Sequence, residues 1–237
     1  MTELGHYVAG RLRANKIRRF FTVAGDYIMT LLDQLVEGGL DMTCCCSELG
    51  AGYAADGYSR ESGNISCLVV TYGVGAMSVV NCVAGMFSED VPCVVLVGCP
   101  KLDSSHPLVH HSVSRTFQQG RCFEEITCEV LNIDSVEQLP LFDCAISKAV
   151  SCSKPVLVQI GCNLFKEHVN FVGHPRALSV SGAFTMNVPR RGFTIYCRNL
   201  IQPTRQSTNL NTHTHTHART HTHTHTHTRT HTHTHTH

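Results

Sequence analysis

Four short apolar runs constrain this chain more than any other feature: Phe20 to Val23, Ile65 to Thr71 (ISCLVVT), Cys93 to Val97 and Val156 to Ile160. None alternates polar with apolar residues, so each is a strand covered on both faces, the signature of a parallel sheet. Between them the apolar spacing becomes helical. Leu4, Val8 and Leu12 form one stripe, and Ile28, Leu31, Leu32 and Leu35 form a second that ends at Gly38-Gly39. Met77, Val80, Ala84 and Phe87 form a third, and Val136, Leu139, Ile146 and Val150 a fourth, interrupted near Pro140. Leu40 to Cys44 is a further strand candidate. Strands alternating with helices predict an α/β domain, a doubly wound parallel sheet with helices on both faces. Ligands bind such sheets at the carboxyl ends of the strands, which directs attention to three loops: Gly25-Asp26, Cys46 to Glu48 and Gly73 to Gly75.

The pattern stops near Phe165, and so does the charge balance. Residues 1–165 carry 11 Lys and Arg against 17 Asp and Glu, whereas the remainder carries 8 basic residues and a single acid, Glu167. Three regions are expected: a folded domain over 1–165, an irregular segment over 166–211, and a disordered low-complexity tail over 212–237 in which Thr and His alternate. A CA dinucleotide repeat read as ACA-CAC encodes Thr-His. The exceptions fit that origin: Arg219 and Arg229 stand in the His phase, one base from CAC, and Ala218 stands in the Thr phase, one base from ACA. The tail is therefore expected to be translated microsatellite and the chain truncated. Its imidazoles offer incidental binding of Ni²⁺, Cu²⁺ or Zn²⁺.

The acidic domain has no basic stripe with interleaved aromatics, so no nucleic-acid partner is expected. No run of about 18 apolar residues is present and the N-terminus lacks a signal core, so no membrane partner is expected either. The 13 Cys include no C-x-x-C pair. They read as reduced, small, buried thiols of a cytoplasmic protein rather than as a metal framework, and no metal ligands are assigned.

The segment Ser47 to Arg60, SELGAGYAADGYSR, places one carboxylate, Glu48, at the mouth of a helix made of Gly and Ala. Missing side-chain bulk lets a neighbour approach closely, and by spacing alone Glu48 need do no more than favour the positive end of that helix. Gly73-Val74-Gly75 alone reads as a simple strand-to-helix turn. His110 and His111 alone read as loop imidazoles, pointing opposite ways if the chain there is extended.

Taken in order, AGDYIMTLLDQL, CSELGAGYAADGYSR, TYGVGAMS, SED and LVHH resemble the pyruvate decarboxylase branch of the thiamine diphosphate enzymes, in their N-terminal, pyrimidine-binding domain. The resemblance covers roughly the first 165 residues. It implies a non-oxidative 2-oxo acid decarboxylase that uses thiamine diphosphate with Mg²⁺ and works as a homodimer or tetramer. It implies that Glu48 hydrogen-bonds the pyrimidine ring of the cofactor and favours its imino tautomer. Gly25, Thr71, Gly73, Val74 and Gly75 would line the cofactor, and Asp26, His110 and His111 would handle protons around the reacting 2-oxo acid.

Departures from the branch are Ala24 for Pro, Ser47 for Asn before Glu48, Asp90 for His after Glu89, and SVSRTFQQG after His111. The G-D-G stretch with a downstream Asn that holds the magnesium diphosphate in this family has no counterpart here, so the chain is expected to be inactive alone. Two alternatives remain open. One is an acetolactate synthase-type carboligase fragment, against which the His110-His111 pair speaks. The other is a catalytically dead interaction domain with a metal-binding His tail.

Overall fold

The computed structural model describes residues 2–101, 110, 111, 113 and 117–169. The expected irregular segment, apart from its first four residues, and the Thr-His tail lie outside the described residues.

The chain opens on β1 (Thr2–Glu3), which pairs antiparallel with β8 (His168–Val169). The main sheet holds six strands: β2 (Arg19–Thr22), β3 (Asp41–Cys44), β4 (Ser66–Thr71), β5 (Cys93–Cys99), β6 (Glu129–Ile133) and β7 (Val156–Gly161). Their order is β3-β2-β4-β5-β7-β6, and every neighbouring pair is parallel. Every residue of β4, β5 and β7 is buried, as the uninterrupted apolar runs require.

Pleating sends alternate residues to opposite faces. Phe20, Cys67, Val69, Val94, Leu96 and Val158 meet α1 (Leu4–Ala14), α2 (Met29–Glu37) and α6 (Pro140–Cys152) in one core. Phe21, Leu68, Val70, Val95, Val97 and Leu157 meet α3 (Glu48–Ser62), α4 (Val74–Ser78) and α5 (Val80–Ser88) in the other. Each fully buried Leu or Val stabilises the fold by about 1.5–3 kcal/mol relative to exposure. A doubly wound sheet follows because neither face can be left wet. Val169 is buried in the first core, so β8 belongs to this unit.

Glycine makes α3 what it is. A Cβ at Gly52 would overlap Cys82 Sγ on α5, so the two helices approach more closely than any larger residue allows. Within α3, Asp56 receives a hydrogen bond from Arg60 at 3.0 Å, and Ser59 Oγ donates to Pro92 O at 3.1 Å. The Asp and Arg of the ADGYSR stretch thus staple the helix, and its Ser anchors it to the turn before β5.

Four expectations need correcting. The stripe Met77, Val80, Ala84 and Phe87 is only half-buried, and the buried face is Ala76, Val79, Val83 and Met86. The helix breaks at Val79, and a stretch apolar on nearly every side carries no unique periodicity. Pro140 opens α6 at its first turn, where a missing N–H costs nothing, instead of interrupting a longer helix. Strand β6 was not anticipated because an edge strand lacks a continuous apolar run. The thiols are not uniformly buried: Cys67, Cys82, Cys93 and Cys99 are, but Cys44, Cys46, Cys122, Cys144 and Cys152 are exposed on helices, loops and the sheet edge. Among the described residues no helix is long and apolar enough to cross a membrane.

Candidate active site at the strand carboxyl ends

Strand β2 is followed in sequence by β3 on one side of it, and β4 lies on the other. The loops leaving β2 and β4 therefore diverge to opposite faces and leave a crevice between them, where a ligand can sit on the sheet edge. Thr71, the last residue of β4 and only 6% exposed, forms its floor.

Both flanking loops rest on Thr71. A Cβ at Gly25 would lie 2.6 Å from Thr71 Cβ, and the Tyr27 amide donates to Thr71 Oγ1 at 3.4 Å. On the other side, a Cβ at Gly75 would lie 2.7 Å from Thr71 Cγ2 and 3.4 Å from Glu48 Oε1. The two loops can close onto Thr71 because these positions carry no side chain.

Glu48 reaches it as the first residue of α3. Ser47 caps the helix, its Oγ accepting from the Gly50 amide at 3.1 Å, and the extended Ser47 backbone turns the chain from β3 into the helix. The Glu48 carboxylate lies in the first turn, favoured by the helix dipole, and is half-buried. Among the described residues it makes no hydrogen bond and no ion pair. A carboxylate so placed has its acceptor capacity available to a donor from outside the chain.

Asp26, His110 and His111 form a second group. The His110 Nε2 to Asp26 Oδ2 distance is 3.7 Å, the imidazole centroids are 3.8 Å apart, and one ligand-capable atom of each residue lies within 4.8 Å of the others. The two rings do not point opposite ways, because the chain here is a turn: His111 has φ 64°, which swings its ring beside that of His110. With Asp26 and His110 about 70% exposed, the contact between them adds little stability.

Tyr27 and Gly73 join the two groups. Tyr27 uses its amide on Thr71 and its hydroxyl, 3.1 Å away, on His110 O. Its ring meets Tyr72 edge-on at 5.9 Å, and burial, followed by Cys162, Asp26 and Tyr72, raises the phenol pKa. Gly73 has φ 67° and lies so close to His111 O that a Cβ would overlap that oxygen, so only glycine fits. Its amide donates to Gln119 Oε1 at 2.6 Å. Gln119 in turn contacts Cys99, and Gln159 reaches Asn132 and Phe117 O in the same buried polar layer.

All the residues singled out in the sequence thus converge on this end of the sheet, with one difference: the Val74 side chain is 51% exposed, while Gly73 and Gly75 are buried. Reading the sequence missed Tyr27 and Gln119. Tyr27 lies inside the GDY motif and was legible there. Gln119 sits in the stretch where the family pattern is lost, and an isolated Gln in a loop gives no signal.

A family model described as "Thiamine pyrophosphate enzyme, N-terminal TPP binding domain" matches residues 2–122. The chain is 43% identical over 167 residues to pyruvate decarboxylase 2 of Arabidopsis thaliana, covering 68% of this chain and 27% of that protein. It is 43% identical over 169 residues to pyruvate decarboxylase 1 of Pisum sativum, covering 68% and 28%. With pyruvate decarboxylase 1 of Zea mays it shares 40% identity over 187 residues, covering 75% and 30%. The chain thus spans less than a third of the length of these relatives.

Proposed function

This chain belongs to the thiamine pyrophosphate enzyme family through its N-terminal TPP-binding domain, and from that premise we propose that it forms the pyrimidine-binding part of a pyruvate-like 2-oxo acid decarboxylase. One observation carries the reading. The Glu48 carboxylate, without a partner among the described residues, stands beside Gly75 where the loops bearing Gly25, Gly73 and Gly75 pack closely at the strand ends, with an acid and two imidazoles on the adjoining loops.

The residues fit thiamine diphosphate. An aminopyrimidine offers a ring nitrogen and an amino group, and a half-buried carboxylate with no partner among the described residues can share a proton with that nitrogen. Gly25 and the Thr71 to Gly75 turn would present backbone to a flat ring beside Glu48. Thiamine diphosphate, when bound, supplies a carbon acid that adds to a carbonyl and accepts the electron pair released with carbon dioxide.

The chain's own groups do the positioning and the proton work. Glu48 holds the proton at the pyrimidine edge. Asp26, His110 and His111 sit where they can deliver protons to the substrate's oxygen and carbon and remove them again. Tyr27 and Gly73 keep those two sets of groups in register.

The folded domain drawn at residues 1–165 takes in β8 as well. Mg²⁺ and the diphosphate would be held by oxygen ligands outside the described residues, because the one mixed cluster within them is built on two imidazoles. A homodimer or tetramer and a cytoplasmic location complete the proposal. The pair of imidazoles beside Asp26 favours the decarboxylase over a carboligase.

The test is a chimera in which residues 1–169 replace the matching part of Arabidopsis thaliana pyruvate decarboxylase 2. The expected result is pyruvate decarboxylation dependent on thiamine diphosphate and Mg²⁺, lost in Glu48→Gln, while the present chain assayed alone gives no turnover. A folded chimera whose activity does not change on Glu48→Gln overturns the role of that residue.

A further inference from the structure

We propose that Asp26, His110 and His111 form a binding site for a borderline divalent transition ion of the Zn²⁺ class. The argument starts from convergence. The carboxylate comes from the loop after β2 and the imidazoles from the segment after β5, yet one ligand atom of each lies within 4.8 Å of the other two. Bonds of about 2.0–2.2 Å to a common tetrahedral ion place ligand atoms roughly 3.4 Å apart, a contraction that the exposed Asp26 and His110 side chains have the freedom to make.

The mounting is specific. His111 at φ 64° places its ring beside His110, where an extended chain would part them. Tyr27, next to Asp26, donates its hydroxyl to His110 O and so ties the carboxylate's loop to the imidazoles' segment. The donor set selects the ion. Two nitrogens and one oxygen suit Zn²⁺, Co²⁺, Ni²⁺ or Cu²⁺, whereas Mg²⁺ demands oxygen ligands in near-octahedral array. Three protein ligands leave positions for water or a small anion.

Another His with acids around it shows the difference. His6 has Glu3 at 3.8 Å from Nδ1 and Glu37 at 2.9 Å from Nε2. These carboxylates flank opposite sides of the ring, so no single ion can meet both and the imidazole together. His6 therefore serves as an internal control.

The experiment is carbethoxylation of the full chain by diethyl pyrocarbonate across a chelator-buffered series of free Zn²⁺, read peptide by peptide by mass spectrometry. Imidazoles of the Thr-His repeat that take up Zn²⁺ report in their own peptides. Zn²⁺ is expected to slow modification of His110 and His111 by about tenfold or more and to leave His6 unchanged, with Mg²⁺ giving no protection. Asp26→Ala, at an exposed position that can be changed without unfolding the domain, is expected to raise the half-protecting Zn²⁺ concentration by roughly tenfold or more. His110→Ala should abolish protection of His111.

Equal modification with and without Zn²⁺, protection undiminished in Asp26→Ala, or equal protection by Mg²⁺ would overturn the site. The readout needs neither cofactor nor substrate, so failure here leaves the decarboxylase reading standing, and failure of the chimera leaves this site standing.

Discussion

Two carboxylates of this chain occupy the same kind of position and lead different lives. Asp143 sits in the first turn of α6 and Glu48 in the first turn of α3, both favoured by the positive end of a helix. Asp143 lies in the seam between α1 and α6, where Arg11 Nε donates to one of its oxygens and the Tyr7 hydroxyl to the other at 3.4 Å. Glu48 lies over the crevice between β2 and β4 with no partner among the described residues. In the seam the charge is satisfied by the protein; in the crevice no described residue satisfies it. Half-buried and reached by solvent, Glu48 costs the fold little and keeps its acceptor capacity for a donor from outside the described residues.

The largest expected effect breaks the seam. Arg11→Met leaves Asp143 mostly buried without its cation, and chemical denaturation should show a loss of about 3 kcal/mol. A loss near zero would mean the seam is as solvent-coupled as the crevice. Next is Gly73→Ala. The added Cβ must occupy the space of His111 O at a positive φ, so a loss of about 2 kcal/mol is expected, with the His pair displaced. Ser47→Ala removes the cap that aims Glu48 and should cost about 1 kcal/mol in the same measurement.

The seam also predicts a pH effect. Burial, then the Asp143 charge, pushes the Tyr7 phenol up to about 12 from its ordinary value near 10. Because the folded-state value is raised, the stabilising contribution is complete below about pH 10 and is lost as pH rises through about 12. An ultraviolet titration should show a late phenol at about 12 that disappears in Tyr7→Phe. If Tyr7 titrates at its ordinary value near 10, the seam is open to water.

Much of this was legible in the amino-acid order, for physical reasons. Strands β4, β5 and β7 are central, so both faces had to be apolar and the runs stood out. Edge strand β6, with Asn132 in it, had no such requirement and was invisible. The crevice residues were legible through their motifs rather than their periodicity. Gly25, Glu48 and Gly73 to Gly75 come from three separate loops, and only the sheet order brings them onto Thr71. The close approach of the His110 and His111 rings was not legible, because it depends on a positive φ at a residue that is not glycine. Likewise the shift of the α4–α5 face from Met77 and Val80 to Ala76 and Val79 depends on a helix break inside a stretch too uniformly apolar to reveal it.

The smallest effect on stability is the sharpest test of the comparison. Glu48→Gln conserves shape, sits at a half-buried position and removes no protein contact among the described residues. Only the helix-dipole interaction is lost, so denaturation should shift by about 0.5 kcal/mol or less. In the chimera the same change removes the proton held at the pyrimidine edge, and turnover should fall by about a hundredfold or more. That pairing of a negligible folding effect with a large chemical one is the reverse of Arg11→Met. A Glu48→Gln protein as destabilised as Arg11→Met would mean that the crevice carboxylate also belongs to the fold, and the distinction between the two regions would be lost.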